Sequence, residues 1–225
     1  MRVLELFAGT GSVGEVFREF GHSVYSLDID PKSPCTVHAD ILQWDYSALG
    51  SFDLVWASPP CTEYSCARTT AKTPRDLLGA DALVRRAFQI IAHFRPRWWF
   101  VENPLTGLLK SRAIVRGFPF VDLAYCSYGA PYRKLTRIWT NLEWQPRGCA
   151  GNACPAVTDG RHALRVSFSC GVKCGQSHRI PRALVLEILS LVSPQVAGGV
   201  EPQAGLGVVP GGEPQAVVHL VPGDA

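Results

Sequence analysis

The sequence has no run of about 18 or more apolar residues, so it predicts no membrane-spanning helix. It also lacks the features of a secretory leader: residues 1–14 hold one Arg and a short apolar segment that glycines interrupt, with no small-residue cleavage site. These two absences predict an intracellular protein with no membrane partner. In that setting the eight cysteines are expected to be reduced, with some catalytic and some available to a metal.

Charge of either sign is also scarce. Charged residues make up 18% of the 225-residue chain, and the formal net charge is +3. This mild excess permits a nucleic-acid partner without demanding one, because a dedicated binder usually carries a stronger basic stripe. Hydrophobic residues make up 47%, which excludes a disordered chain and predicts one sizeable domain with a buried core.

Short apolar strands alternate with helical segments along the chain. Strands are predicted at 2–7, 23–28, 53–57, 97–102, 121–127 and 136–141, and helices at 13–20, 77–94 and 181–193. The alternation predicts an α/β fold with a Rossmann-like, mostly parallel sheet and helices on both faces. Ligands of such sheets bind beyond the carboxyl ends of the strands, so residues at those ends are the candidates for chemistry.

A glycine-rich turn links the first predicted strand to the first helix, and its members are Phe7, Ala8, Gly9, Gly11 and Gly14. Glycines let the backbone approach a ligand closely, and the helix start offers free N–H groups. Asp28 ends the second strand, where a carboxylate can accept hydrogen bonds from ribose hydroxyls, and Asp40 follows a third strand end, where it can meet an adenine amino group. No Gly-Lys-Ser/Thr follows the turn, which favours a nucleoside without phosphates. The alternative is an ordinary tight turn with two capping aspartates.

A cysteine follows two prolines at another strand end. Pro59 and Pro60 fix the backbone before Cys61, and Glu102 ends a further strand in the segment Glu102-Asn103-Pro104. A thiolate can add to C6 of a pyrimidine while an acid protonates or hydrogen-bonds N3, and this makes C5 nucleophilic enough to take a methyl group. The alternative for Cys61 is a buried structural thiol.

These motifs together resemble the cytosine-C5 DNA methyltransferase family over about residues 1–190. The matching pieces are the glycine-rich turn, Pro60-Cys61, Glu102-Asn103, residues 128–139 (YGAPYRKLTRIW) and residues 177–181 (SHRIP). The resemblance implies a class I fold, S-adenosylmethionine as cofactor, DNA as partner and Cys61 as nucleophile. It also implies that Arg133 or Arg137 holds the catalytic loop and target base. Pro59 is expected to join the turn residues and the two aspartates around the cofactor.

Two features depart from the family pattern. The family usually has Pro-Cys-Gln and Glu-Asn-Val, where this chain has Pro60-Cys61-Thr62 and Glu102-Asn103-Pro104. The interval that holds a large target-recognition region in the family is reduced to residues 142–177, as in small phage- and virus-type members. Sequence specificity is then loose, supplied by a protein partner, or read by this small insert. The expected location is the cytoplasm or nucleus, in a host cell if the source is a virus.

The insert, residues 142–178, is rich in Cys and His. Thiolates and imidazoles suit zinc, and the candidate ligands are Cys149, Cys154, His162, Cys170 and Cys174. The spacing differs from that of common zinc modules, so two alternatives remain: a loop with free thiols, or a site in which Cys149, Cys154 and His162 share a metal with one other residue. Beyond a methyltransferase domain at 1–193, the Gly- and Pro-rich segment 194–225 predicts a flexible tail.

Three other functions compete with C5 methylation of DNA. An amino-methyltransferase acting on cytosine N4 or adenine N6 would use Ser58-Pro59-Pro60, although Cys61 stands where those enzymes have an aromatic residue. RNA is an alternative substrate. A catalytically inactive fold that binds only the cofactor or nucleic acid is the third, and it is suggested by the short recognition interval.

Overall fold

A computed structural model describes residues 1–66, 68, 71–162 and 178–193 of the chain. The main sheet has seven strands: β1 (Arg2–Leu6), β2 (Ser23–Asp28), β3 (Val37–His38), β4 (Leu54–Ala57), β5 (Trp98–Pro104), β6 (Phe120–Ala124) and β7 (Leu135–Thr140). In the part of the chain that the structure describes, three α-helices accompany it: α1 (Ser12–Glu19), α2 (Leu77–Phe94) and α3 (Arg182–Val192). A hairpin of β8 (Val157–Thr158) and β9 (Arg161–His162) forms a separate two-stranded sheet.

The seven strands lie in the order β3-β2-β1-β4-β5-β7-β6. β1 pairs in parallel with β2 and β4, and β4 pairs in parallel with β5, whereas β7 runs antiparallel to both β5 and β6. The strand order reverses at β1, because β2 and β4 lie on its two sides. In open sheets of this kind a crevice forms at the reversal, outside the carboxyl ends of β1 and β4.

Alternate residues of the central strands pack into two hydrophobic cores, one on each face of the sheet. Val3 and Trp56 face α1 and α3, whereas their neighbours Leu4 and Val55 face α2. Both faces of β4 are fully buried, which explains why its sequence is apolar throughout rather than alternating. The structure confirms the predicted α/β class, with a mostly parallel sheet and helices on both faces.

The predicted elements agree with the structure within a few residues. α2 has the predicted bounds, because Asp76 caps its start by accepting a hydrogen bond from the Gly79 N–H at 2.8 Å. The segment predicted as a strand at 121–127 leaves the sheet after Ala124, where Tyr125–Tyr128 forms a 3₁₀ turn. The predicted tail, 194–225, lies outside the described residues, as do residues 163–177 of the predicted insert. Among the described helices, none is long and apolar enough to cross a bilayer.

Candidate active site

The turn after β1 wraps around the carboxylate of Asp28. Gly9 has a φ angle of 51° and donates its N–H to Asp28 Oδ2 at 2.6 Å. Gly11, with a φ of 69°, is the N-cap residue directly before α1. Phe7 also has a positive φ, 58°, which costs a bulky residue about 1–3 kcal/mol and is most often found at ligand sites. Asp28 therefore holds the glycine-rich turn in a strained and open shape.

Gly14 has a different structural role from Gly9 and Gly11. Its N–H donates to Oε2 of the buried Glu5 at 3.1 Å, and a Cβ at this position would lie 2.4 Å from that oxygen. Burial raises the pKa of Glu5 to about 7, although the bond from Gly14 and the charge of Arg18 oppose the shift. Gly14 thus lets α1 pack closely on β1.

A cavity of about 630 Å³ opens at the carboxyl ends of the parallel strands. This volume is typical of sites for small ligands and cofactors. The predicted site residues that line it are Phe7, Ala8, Gly9, Asp28, Asp40, Pro59, Cys61 and Glu102. The structure therefore brings the predicted cofactor turn, nucleophile and acid around one space.

The two aspartates of the cavity shape their own loops. Asp28 Oδ1 accepts the N–H of Asp30 at 2.8 Å, in addition to the bond that Oδ2 accepts from Gly9. Asp40 Oδ1 accepts the N–H of Leu42 at 2.9 Å. Because each carboxylate offers about four lone pairs, both can still accept bonds from a ligand.

The loop that carries Cys61 is fixed on both sides. The buried amide of Asn103 donates from Nδ2 to the Pro59 carbonyl oxygen at 2.9 Å. On the other side, the Tyr64 N–H donates to the Cys61 carbonyl oxygen at 3.1 Å, and the Tyr64 hydroxyl donates to Asp81 on α2 at 2.8 Å. Cys61 itself is half-buried and lines the cavity.

Glu102 lies near the end of β5 and is 5% exposed. Two side chains contact the same oxygen of its carboxylate. The Tyr125 hydroxyl donates to Glu102 Oε1 at 2.9 Å, and Lys134 Nζ lies 3.4 Å from the same atom. Burial, followed by the nearby carboxylate, raises the pKa of Tyr125 well above its usual value, so this hydroxyl stays a donor.

His178 also lines the cavity, close to the pair of Glu102 and Lys134. Burial lowers the pKa of His178, and the charge of Lys134 lowers it further, against a smaller opposing effect of Glu102. The imidazole is therefore neutral near pH 7.

The two arginines predicted to act at the base lie away from the cavity. Arg137 forms two hydrogen bonds of 2.7 Å with Asp122 across the β6–β7 pair, and its guanidinium lies 3.5 Å from the Phe120 ring centre. Arg133 is exposed, and its charge acts on Cys149. Lys134, between them in sequence, does line the cavity.

Three of the predicted metal ligands come together away from the cavity. Cys149, Cys154 and His162 form a cluster with Cys126, and their ligand atoms all lie within 4.8 Å of one another. The other two predicted ligands, Cys170 and Cys174, lie outside the described residues.

Comparison with known proteins identifies the family. Residues 1–114 match the family described as C-5 cytosine-specific DNA methylase. The chain is also 34% identical, over 218 residues, to a probable DNA (cytosine-5)-methyltransferase of Frog virus 3 (isolate Goorha); the match covers 85% of this chain and 100% of the viral protein. The chain belongs to the C-5 cytosine-specific DNA methylase family. Its enzyme class is therefore DNA (cytosine-5-)-methyltransferase, and the resemblance that the motifs indicated is confirmed.

Other relatives are longer than this member of the C-5 cytosine-specific DNA methylases. The type II methyltransferase M.AgeI of Thalassovita gelatinovora is 29% identical over 166 residues, which cover 60% of this chain and 38% of that protein. Two solved structures are similar in part: S. pombe Dnmt2 methyltransferase (15% identity, 64% of this chain and 52% of that one, TM-score 0.46) and Entamoeba histolytica methyltransferase EhMeth (14%, 65% and 56%, TM-score 0.47). The chain spans about half the length of both.

Sequence reasoning gave no role to four residues that the structure places at the cavity, next to its lining residues or in the cysteine cluster: Glu5, Lys134, Tyr125 and Cys126. Lys134 directly precedes β7, where no strand alternation indicates which of three neighbouring cations points inward. Tyr125 and Cys126 were assigned to a strand, and the 3₁₀ turn that aims them depends on tertiary packing. A signal for Glu5 was available, since a charged residue inside a buried strand is rare unless it is paired.

Proposed function

We propose that this protein transfers the methyl group of S-adenosylmethionine to C5 of cytosine in DNA, through a covalent bond between Cys61 and C6 of the base. The observation that carries the proposal is that Cys61 and Glu102, from the ends of different strands, line the same cavity as the Gly9–Asp28 turn. A nucleophile, an acid and a nucleoside-binding turn around one space are what this reaction needs.

The cofactor half of the cavity suits S-adenosylmethionine by its chemistry. Asp28 and Asp40 repel phosphates and attract hydroxyl and amino groups, and Gly9 lets the backbone come close. Ile29 lines the cavity although 71% of its surface is exposed, and it offers an apolar face to an adenine ring. When bound, S-adenosylmethionine supplies an electrophilic methyl group on a positively charged sulfur.

At the other half, the Cys61 thiolate adds to C6 and the electron pair of the C5–C6 double bond moves to C5. C5 then takes the methyl group, and the electron pair of the broken carbon–sulfur bond stays on the sulfur of the departing neutral thioether. Loss of the C5 proton to a base and expulsion of the Cys61 thiolate restore the aromatic ring. The prolines before Cys61 and the Asn103 bond to Pro59 keep the sulfur in place during the addition.

We assign to Glu102 a contact with the edge of the cytosine ring. Tyr125 and Lys134 both contact Oε1, so Oε2 is the oxygen that we assign to N3 and the neighbouring amino group. The acid form of Glu102 donates a hydrogen bond from this oxygen to N3, and this bond stabilises the electron-rich ring that forms when sulfur adds to C6. Lys134 takes the place that the resemblance gave to Arg133 or Arg137.

DNA is the proposed partner, and residues 142–178 are proposed as the reduced recognition insert of a domain that spans 1–193. A cytosine in a duplex must leave the base stack to reach a cavity of this kind, at a cost of a few kcal/mol. Exposed cations in the insert or shortly before it in sequence, such as Arg147 and Arg133, are suited to phosphate contacts that help to offset this cost.

The test is transfer of a labelled methyl group to duplex DNA, followed by nucleoside analysis. We expect 5-methylcytosine, and we expect Cys61→Ser to abolish it while Cys66→Ser, which removes an exposed thiol five positions further along, keeps it. Methylation at N4 of cytosine or N6 of adenine, or activity retained by Cys61→Ser, would indicate an amino-methyltransferase instead. Cofactor binding with no transfer to DNA or RNA would indicate the inactive alternative.

A further inference from the structure

The strongest unassigned feature of the molecule is the Cys and His cluster beyond the end of β6. Cys126 comes from the 3₁₀ turn Tyr125–Tyr128, and Cys149, Cys154 and His162 come from the chain segment after β7. All four ligand atoms lie within 4.8 Å of one another. In a tetrahedral zinc site with Zn–S bonds of about 2.3 Å, neighbouring sulfurs are about 3.8 Å apart, so the cluster is close to the required size.

We propose that Cys126, Cys149, Cys154 and His162 bind one structural zinc ion that fastens residues 149–162 to the catalytic sheet. Three thiolates and one imidazole form a complete tetrahedral set for zinc, and they leave no open position for a water or substrate. Cys126, far upstream in the sequence, is the fourth ligand, so Cys170 and Cys174 are not needed.

The surroundings of the cluster are those of a built site. Cys126 and Cys154 are 2% and 3% exposed, and they pack with Ala124, Leu135 and Val157. A core of this size buries too little apolar surface to fix a loop-rich segment by itself. A metal bond can supply the missing stability, as it does in other small domains.

Local backbone structure aims the three later ligands at Cys126. Cys149 Sγ lies 3.5 Å from His162 Nε2, so this sulfur and the imidazole are already close enough to share one metal ion. The Cys154 carbonyl oxygen accepts the Val157 N–H at 2.9 Å, and Val157 pairs with His162 across the hairpin. The hairpin turns at Asp159-Gly160, with φ angles of 52° and 72°, which is the two-residue turn that antiparallel strands favour.

The proposed site is connected to the catalytic residues through Cys126. Its neighbour Tyr125 donates to Glu102, and Ser127 Oγ donates to the Gly148 carbonyl oxygen at 2.7 Å, just before Cys149. A zinc ion here would hold the insert and the tyrosine that positions Glu102 as one unit. The metal assignment itself stands on the cluster and does not depend on the proposed methyl transfer.

Metal content tests the proposal directly. The full chain, purified with zinc in the medium, is expected to hold about one zinc per chain by elemental analysis. X-ray absorption at the zinc edge is expected to give three sulfur neighbours at about 2.3 Å and one nitrogen at about 2.0 Å. The double variant Cys126→Ser/Cys149→Ser is expected to lose the zinc, and the matched double variant Cys35→Ser/Cys66→Ser to keep it.

Several results would overturn the zinc site. Absence of stoichiometric zinc would do so, as would a thiol titration of the denatured chain that shows a disulfide among these cysteines. If Cys170→Ser/Cys174→Ser lost the zinc and Cys126→Ser/Cys149→Ser kept it, the zinc ligands would be other residues than those proposed. The absorption spectrum of the unmodified protein keeps the proposal testable even if a variant fails to fold.

Discussion

The side-chain amide of Asn103 donates a 2.9 Å hydrogen bond to the carbonyl oxygen of Pro59, and it thereby joins the loop of Cys61 to the strand that ends with Glu102. Asn103 is fully buried, so loss of its side chain leaves the buried Pro59 carbonyl oxygen without this donor. The relative position of sulfur and carboxylate depends on it.

Replacement of Asn103 by Ala is expected to lower kcat more than the stability loss explains. A lost buried hydrogen bond costs about 1–3 kcal/mol, and a displaced nucleophile adds to the barrier of the addition step. Asn141→Ala is the control at the opposite end of β5, where the exposed Asn141 donates a 2.9 Å bond from Nδ2 to the Arg97 carbonyl oxygen and accepts the Trp99 N–H at 2.9 Å. Steady-state methyl transfer should fall at least about tenfold further for Asn103→Ala than for Asn141→Ala. Equal losses would show that Asn103 has only a structural role.

Tyr125→Phe removes the hydroxyl that donates to Glu102 Oε1 and keeps the buried ring. We expect kcat to fall by about tenfold or more, since hydrogen bonds to charged groups are worth about 1.5–3 kcal/mol. KM for the cofactor should change little, because Tyr125 does not line the cavity. Tyr132→Phe is a control on another buried tyrosine of the same core. An unchanged kcat in Tyr125→Phe would show that the Tyr125 hydroxyl does not position Glu102.

Gly14→Ala is expected to destabilise the fold strongly for a one-carbon change. The added Cβ would lie 2.4 Å from Glu5 Oε2 and 3.0 Å from Val24 Cγ1, and such overpacking typically costs about 1–3 kcal/mol. Gly148→Ala is the matched control, because a Cβ there meets nothing within 4 Å. Urea denaturation of both variants measures the difference, and equal midpoints would contradict the close packing of α1 on β1.

Glu5 predicts a pH dependence of stability. Burial raises its pKa in the folded chain from 4.5 to about 7, so the protonated form is favoured by folding. The contribution of Glu5 is complete below pH 4.5 and is lost as pH rises to about 7. Above that it stays lost, at a cost on the order of 3 kcal/mol. Glu5→Gln keeps an acceptor for the Gly14 N–H and removes the titration.

The free energy of unfolding, measured for both proteins at pH 5 and pH 8, separates this effect from other titrating groups. The advantage of Glu5→Gln over the unmodified chain should grow between the two values. A difference that is independent of pH would show that Glu5 titrates alike in the folded and unfolded chain.

Sequence periodicity predicted the sheet and helices because the apolar spacing that buries one face of a strand or helix lies within that segment itself. Leu77–Phe94 shows this well, since its apolar spacing and the Asp76 cap both lie within the segment. That Cys61 and Glu102 line one cavity could be predicted for a related reason: the ends of parallel strands converge, so neighbours in space can be named from strand order alone.

Contacts that depend on the packing of distant loops could not be found in this way. Lys134 and Arg137 are three residues apart, yet one lies at Glu102 and the other pairs with Asp122. Cys126 joins Cys149 and Cys154 only because the chain leaves β6 in a 3₁₀ turn, which no local pattern indicated. Lys134 and Cys126 both lie just outside a strand, where alternation does not indicate the direction of a side chain.

Covalent trapping tests the central claim most directly. An oligonucleotide with 5-fluorocytosine at the target position should form a stable adduct, because fluorine at C5 cannot leave as a proton does and Cys61 cannot be expelled. We predict an adduct that requires S-adenosylmethionine and that peptide mass spectrometry maps to Cys61. An adduct at another cysteine, or efficient methylation of normal DNA with no adduct on the fluorinated strand, would contradict the account.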